Sequence, residues 1–146
     1  MNIVAVTDAA GKVVEPQWLA RAEGVHRQLR TALPADYEGK MKRVFSGGAR
    51  MCVATEGDAV RGVAVYRIRE NTFEGLHLYV DDLVTDERQR SKGVGRALMD
   101  HLQQLARAAG CEAYTLDSGT QRTQAHKFYF REGMVVSSFH FRKPLK

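Results

Sequence analysis

The sequence has little of what builds metal sites, disulfide frameworks or membrane spans. Only two of its 146 residues are cysteine, Cys52 and Cys111, each inside an apolar stretch and neither in a CxxC pair. Both read as buried thiols, and with no His/Cys cluster at ligand spacing no metal is expected. No apolar run approaches the ~20 residues that cross a bilayer, so no membrane partner is expected either. The opening Met1-Asn2-Ile3-Val4-Ala5-Val6 lacks the basic segment of a secretory leader, which makes the cytoplasm the expected location. Prolines number three, and there is no repeat, linker or low-complexity tract. The chain therefore reads as one domain, residues 1–146, of a size that buries its own core.

What is present is charge and pattern. Lys and Arg total 22 against 17 for Asp and Glu, a net charge of +5 that favours an anionic partner, either a phosphate-bearing cofactor or nucleic acid. The basic residues are dispersed, with no aromatic-interleaved patch, which points away from nucleic acid.

Periodicity orders the elements. Residues 1–7 are strand-like. Trp18, Leu19, Ala22, Val25 and Leu29 predict a helix over 16–31, which Pro34 bars from continuing. Tyr37, Met41, Val44 and Phe45 predict a second helix, stopped by Gly47-Gly48. Three strand-like runs follow, Met51–Thr55, Ala59–Arg69 and Glu74–Val84, the first two joined at the hairpin-type pair Gly57-Asp58. Val94, Ala97, Leu98, His101, Leu102, Leu105 and Ala109 then form one helical stripe over Gly93–Ala109. A short strand Ala113–Leu116, a helix over 121–132 and a last strand Met134–Phe141 complete the order β-α-α-β-β-β-α-β-α-β. The expected fold is α/β: a mixed, mostly antiparallel central sheet flanked by helices, with a β-α-β crossover around Gly93–Ala109.

Between the third strand and the long helix lies Arg90-Ser91-Lys92-Gly93-Val94-Gly95. First-turn N–H groups lack intrahelical partners and carry the positive end of the macrodipole, so a basic, glycine-containing turn there suits an anion. Gly93 and Gly95 remove Cβ atoms that would hold a pyrophosphate off the backbone, while Arg88, Arg90, Lys92 and Arg96 add charge. No GxxxxGK[ST] string exists, which excludes a Walker loop. A dinucleotide fingerprint fails at its third position, where Leu98 stands in place of glycine or alanine. A plain helix start with a solvated basic face is the remaining competitor.

Asp82-Leu83-Val84-Thr85, followed by Arg90-Ser91-Lys92-Gly93-Val94-Gly95-Arg96-Ala97-Leu98, resembles the acetyl-CoA signature [RQ]xxGx[GA] of the GNAT N-acetyltransferases. Ala125-His126-Lys127-Phe128-Tyr129-Phe130-Arg131-Glu132-Gly133-Met134 resembles that family's second cofactor-side helix, AxxxYxxxGF in outline. The resemblance is strong over about residues 74–134; residues 1–73 match only in the order of elements.

The resemblance implies an enzyme that moves the acetyl group of acetyl-CoA to a primary amine of a small molecule or peptide. It also allows a non-catalytic CoA-binding sensor or interaction module on the same fold, and a homodimer among the assemblies open to it. It implies that Arg90, Ser91, Lys92, Gly93, Val94, Gly95 and Arg96 cradle the pyrophosphate, and that the pantetheine arm pairs with Leu83, Val84 and Thr85. Tyr129 matches the tyrosine that protonates the departing thiolate. Its alternative is a core aromatic. Asp81 and Asp82 are the candidate groups for the incoming amine. Strand alternation predicts that only one of them enters the cleft, and Asp81 matches the acidic position of polyamine-type relatives.

Two positions depart from the family pattern: Arg122 stands where an asparagine often contacts the cofactor arm, and Glu87 where proline often precedes the loop. The contact is then either lost or replaced, with Arg122 as a cofactor-side residue making a charged contact to phosphate. Of the five histidines, His101 lies on an apolar stripe and reads as a core residue. His77 and His126 are secondary candidates for proton transfer. Asp36, Tyr37 and Glu38 lie near the expected acceptor wall and could select a cationic amine, but exposed loop residues are their ordinary reading.

Overall fold

In the computed structural model, which describes all 146 residues, nearly every predicted element forms close to its expected bounds. The order is β1 (Asn2–Ala5), α1 (Pro16–Leu29), α2 (Tyr37–Ser46), β2 (Arg50–Glu56), β3 (Ala59–Asn71), β4 (Gly75–Thr85), a 3₁₀ turn at Glu87–Gln89, α3 (Val94–Ala108), β5 (Ala113–Leu116) and α4 (Thr123–Arg131). These residues group into two compact units, Met1–Thr115 and Leu116–Lys146.

The five strands form a mixed sheet in the order β1-β2-β3-β4-β5, the first four pairing antiparallel. The crossover through α3 returns the chain to the start of β4, where Glu112 N–H donates to the Leu76 carbonyl at 2.7 Å. Pro16 opens α1 at a position where its fixed φ suits a helix and its missing N–H costs nothing. Asp36 caps α2 by accepting from Gly39 N–H at 3.0 Å.

Leu19, Ala22 and Val25 of α1 and Tyr37, Met41 and Phe45 of α2 pack on Met51, Val53, Val63, Val65 and Val84. Full burial of each such aliphatic side chain contributes roughly 1.5–3 kcal/mol. Because strand side chains alternate, Gly62 faces the other side of the sheet, where α3 lies. A Cβ built on Gly62 would stand 2.8 Å from both Leu98 Cδ1 and Val94 Cγ1, and 3.2 Å from the Val84 carbonyl oxygen. The absence of a side chain there sets how closely the start of α3 approaches β3. Gly62→Ala is expected to cost about 1–3 kcal/mol through overpacking, read as a thermal midpoint several degrees lower.

One expected element is missing. Residues Met134–Phe141 form no strand, and α4 is the last regular element. Val135, Phe139 and Phe141 are 80%, 79% and 93% exposed. Composition favoured a strand there, but a strand exists only through a ladder with another strand, and this segment makes none. No helix is long and apolar enough to cross a membrane.

Candidate active site

The end of β4 departs from regular pairing at one residue. Val65 pairs with Asp82 and Tyr66 with Val80, so Asp81 is an extra residue, a β-bulge opposite the Val65–Tyr66 step. The bulge overturns the expectation that alternation sends Asp81 and Asp82 to opposite faces. Both carboxylates meet partners on the α1/α2 side. Asp81 takes Arg67 Nε at 2.9 and 3.2 Å, while Arg67 Nη1 donates to the Gly47 carbonyl just after α2. Asp82 accepts from Arg30 Nε at 2.7 Å and lies 2.7 Å from His26 Nε2, both on or just beyond α1.

Their environments push the two acids apart. Burial raises the Asp81 carboxyl above its ordinary value, and the neighbouring Asp82 charge adds to that, against the lowering effect of Arg67. Burial acts on Asp82 in the same sense, but the His26 hydrogen bond and the Arg30 charge outweigh it and hold Asp82 below the ordinary value. Paired carboxylates with separated affinities for protons are what acid–base division of labour requires.

Beyond the bulge, Leu83, Val84 and Thr85 pair with Ala64, Val63 and Gly62 on one edge. On the other edge β5 begins beside Leu76 and has only four residues. At roughly 3.3 Å per residue it ends well short of Leu83. This stretch of β4 therefore runs past its neighbour.

The chain then enters the basic turn under firm anchorage. Asp86 N–H donates to the Arg61 carbonyl at 2.8 Å, and the buried Asp86 carboxylate accepts from Gln28 Nε2 at 3.2 Å and Arg88 N–H at 3.3 Å. Gln28 also accepts from Glu87 N–H at 2.9 Å, so α1 holds both ends of the approach. Ser91 has φ +64° and Gly93 φ +82°. A serine in the left-handed region is uncommon, and two left-handed residues so close together bend the chain sharply just before the helix. Gly93 starts α3 with no capping side chain and no acid in the first turn. Arg90, Ser91, Lys92 and Arg96 are exposed around it. Val94 differs in that its side chain is buried.

Within the second unit, Tyr129 lies on α4 and Arg122 begins that helix. Burial raises the Tyr129 hydroxyl, while the charge and hydrogen bond of Arg122 pull it down, with burial prevailing. The phenol is therefore protonated at neutral pH. Arg122, expected against a phosphate, has the tyrosine as a partner in this unit.

The histidines sort differently from their sequence positions. His77 is buried, with Nδ1 2.9 Å from the Gly75 carbonyl and Nε2 accepting from Arg69 Nε at 3.1 Å, so both ring nitrogens are committed. His126 Nε2 meets the Gly119 carbonyl at 2.8 Å. His101, expected in the core, is only half-buried. His26, which sequence reasoning passed over, is 1% exposed and bridges Tyr37 and Asp82. Its signal was available, since it follows Leu19 and Ala22 on the buried stripe of α1. Tyr37 itself is buried at the start of α2, not in an exposed loop, and Asp36 is that helix's cap. Cys52 is buried too, and its thiol is pushed up to about 12, which removes it as a nucleophile. No group of three or more His, Cys, Asp and Glu side chains converges as a metal site would need.

Comparison with known proteins identifies the family by sequence and the fold by structure. The sequence profile of the acetyltransferase (GNAT) family matches residues 17–134. The chain is 35% identical over 132 residues to YhdJ, an uncharacterized N-acetyltransferase of Bacillus subtilis (strain 168), covering 88% of this chain and 92% of that protein. It is 27% identical over 131 residues to an aminoglycoside N(6')-acetyltransferase type 1 of Stenotrophomonas maltophilia, covering 82% and 85% of the two chains. Among solved structures, that of AAC(6')-Iy in complex with a bisubstrate analog, CoA-S-monomethyl-acetylneamine, superposes with a TM-score of 0.76 at 17% identity, covering 98% of this chain and 97% of the other. The profile match across most of the chain and the long alignment to an N-acetyltransferase together establish that this protein belongs to the GNAT acetyltransferase family.

Proposed function

We propose that this chain transfers the acetyl group of acetyl-CoA directly to a primary amine of a small molecule or peptide. The observation that carries the reading is the run from the overhanging end of β4, through the left-handed turn at Ser91 and Gly93, into the uncapped start of α3. Such a run fits a cofactor with an extended amide-bearing arm and a pyrophosphate. The main chain of Leu83, Val84 and Thr85 would pair with the arm, and N–H groups from Ser91 to Arg96 would meet the pyrophosphate. Arg90, Lys92 and Arg96 supply charge without needing fixed geometry.

Acetyl-CoA supplies the acetyl group as an activated thioester, and the chain's own groups handle protons. Asp81, raised by burial, takes a proton from the incoming ammonium so that a neutral amine attacks the carbonyl. The departing thiolate needs a proton, and the motif match assigns it to the Tyr129 hydroxyl. Asp82, held ionised by His26 and Arg30, is a poor base and serves as an anchor. That the relatives carry names of N-acetyltransferases supports an amine acceptor.

The test is thiol release from acetyl-CoA over polyamines, aminoglycosides and basic peptides, with calorimetric cofactor binding alongside. Release with at least one amine is expected. Gly93→Ala is expected to raise the acetyl-CoA KM by about tenfold, because an L-residue in that left-handed position costs roughly 1–2 kcal/mol. Cofactor binding with no release across the panel would identify a non-catalytic sensor instead.

A further inference from the structure

The Tyr37–His26–Asp82 chain lies inside the first unit, where α1, α2 and β4 meet. His26 Nδ1 is 2.8 Å from the Tyr37 hydroxyl, and His26 Nε2 is 2.7 Å from Asp82 Oδ2. His26 and Tyr37 are 1% and 2% exposed, so neither exchanges partners with water. An ionised carboxylate only accepts, which assigns the Nε2 proton to the bond with Asp82. Burial keeps Tyr37 a neutral phenol, whose O–H lies in reach of Nδ1 and can donate to it. Each atom of the chain is then used once. The charged groups around it are Glu23 and Arg27 beside Tyr37, Arg30 and Asp81 beside Asp82, and Arg67 and Arg69 beside Asp81. Arg30 extends the chain to the bulge: it binds Asp82 Oδ1 through Nε at 2.7 Å, and its Nη2 donates to the Asp81 carbonyl at 3.0 Å.

We propose that Tyr37, His26 and Asp82 form a buried relay that positions the β4 bulge for acetyl transfer, with His26 as its central positioning residue. The relay sets the direction of the main chain at Asp81 and Asp82, and thereby the placement of the Asp81 carboxylate and of the strand end that follows. Tyr37 fixes the imidazole tautomer, His26 orients Asp82, and Arg30 carries that order to the Asp81 peptide. The proposal rests on the acetyltransferase reading for its kinetic part only; the tautomer is a property of the folded chain.

The experiment pairs His26→Gln with His26→Leu, and adds Tyr37→Phe, which keeps the aromatic packing and removes only the hydroxyl. The Gln carboxamide presents an acceptor and a donor at nearly the spacing of the imidazole nitrogens; Leu presents neither. For variants whose melting shows them folded, His26→Leu is expected to lose about tenfold to a hundredfold in kcat at near-constant acetyl-CoA KM, the scale of a misplaced reacting group. His26→Gln is expected to recover most of that loss. Tyr37→Phe is expected to lower kcat severalfold, and it carries the kinetic test should His26→Leu fail to fold. Nitrogen NMR of the wild-type imidazole is expected to show the Nε2–H tautomer near pH 7. A folded His26→Leu or Tyr37→Phe with wild-type kcat and pH profile would overturn the relay, as would an Nδ1–H tautomer. Absence of thiol release from the wild type with every amine would sink the acetyltransferase reading, while the tautomer result would still decide the relay.

Discussion

Replacing Asp81 by asparagine is expected to lower kcat/KM for the amine by about a hundredfold or more, the lower range of what a positioned general base contributes. The pH profile gives the sharper readout. Burial raises the Asp81 carboxyl in the folded protein, so the acidic limb of kcat/KM lies above the ordinary carboxylate value of about 3.9. Activity falls as pH drops through that raised value, because the protonated acid accepts nothing from the amine. Asp81→Asn removes this limb, whereas Asp82→Asn moves it to lower pH, since the Asp82 charge helps to raise Asp81. Asp82 also has an opposite stability signature. Its value is depressed by His26 and Arg30, so its contribution is full above the unfolded carboxylate value and is lost as pH falls through the folded one. Acid titration of the melting temperature in wild type and Asp82→Asn measures this. A kcat/KM profile that is identical in wild type and Asp81→Asn would remove Asp81 from the base role.

Tyr129→Phe is expected to lower kcat by about a hundredfold with little change in the KM for either substrate, because the ring and its packing stay and only the proton donor goes. Tyr129 is 9% exposed, so the ring also fills space, which makes phenylalanine the informative replacement and alanine a poor one. The structure adds a second test. Arg122 lowers the phenol against the raising effect of burial, so Arg122→Met leaves the hydroxyl a weaker acid. A smaller loss of kcat with a shifted alkaline limb is expected for that variant. Full kcat across pH in purified Tyr129→Phe would dismiss the acid role and leave Tyr129 as a packing residue.

Much of the first unit was legible in the chain itself. Helical stripes and strand runs located α1 to α3 and β1 to β5 because local periodicity reports which face each element buries. The basic turn was legible for the same local reason: Ser91 and Gly93 lie side by side with the helix start that they shape. The family motifs are local strings too.

Three features were decided only by tertiary structure. The bulge at Asp81 is a property of register between β3 and β4, and nothing within Gly75–Thr85 announces which residue will have no partner across the strand. The His26–Asp82 contact joins residues 56 apart, and a histidine on an apolar stripe is silent about what lies across from it. Residues Met134–Phe141 carry strand-forming side chains without becoming a strand, since their hydrogen bonds depend on a neighbour that the segment does not itself contain. Sequence by itself determined the elements and the turn, whose geometry is encoded within a few residues. Tertiary structure decided which carboxylate is raised, which is anchored and what anchors it, because burial and cross-strand register are properties of the assembled sheet.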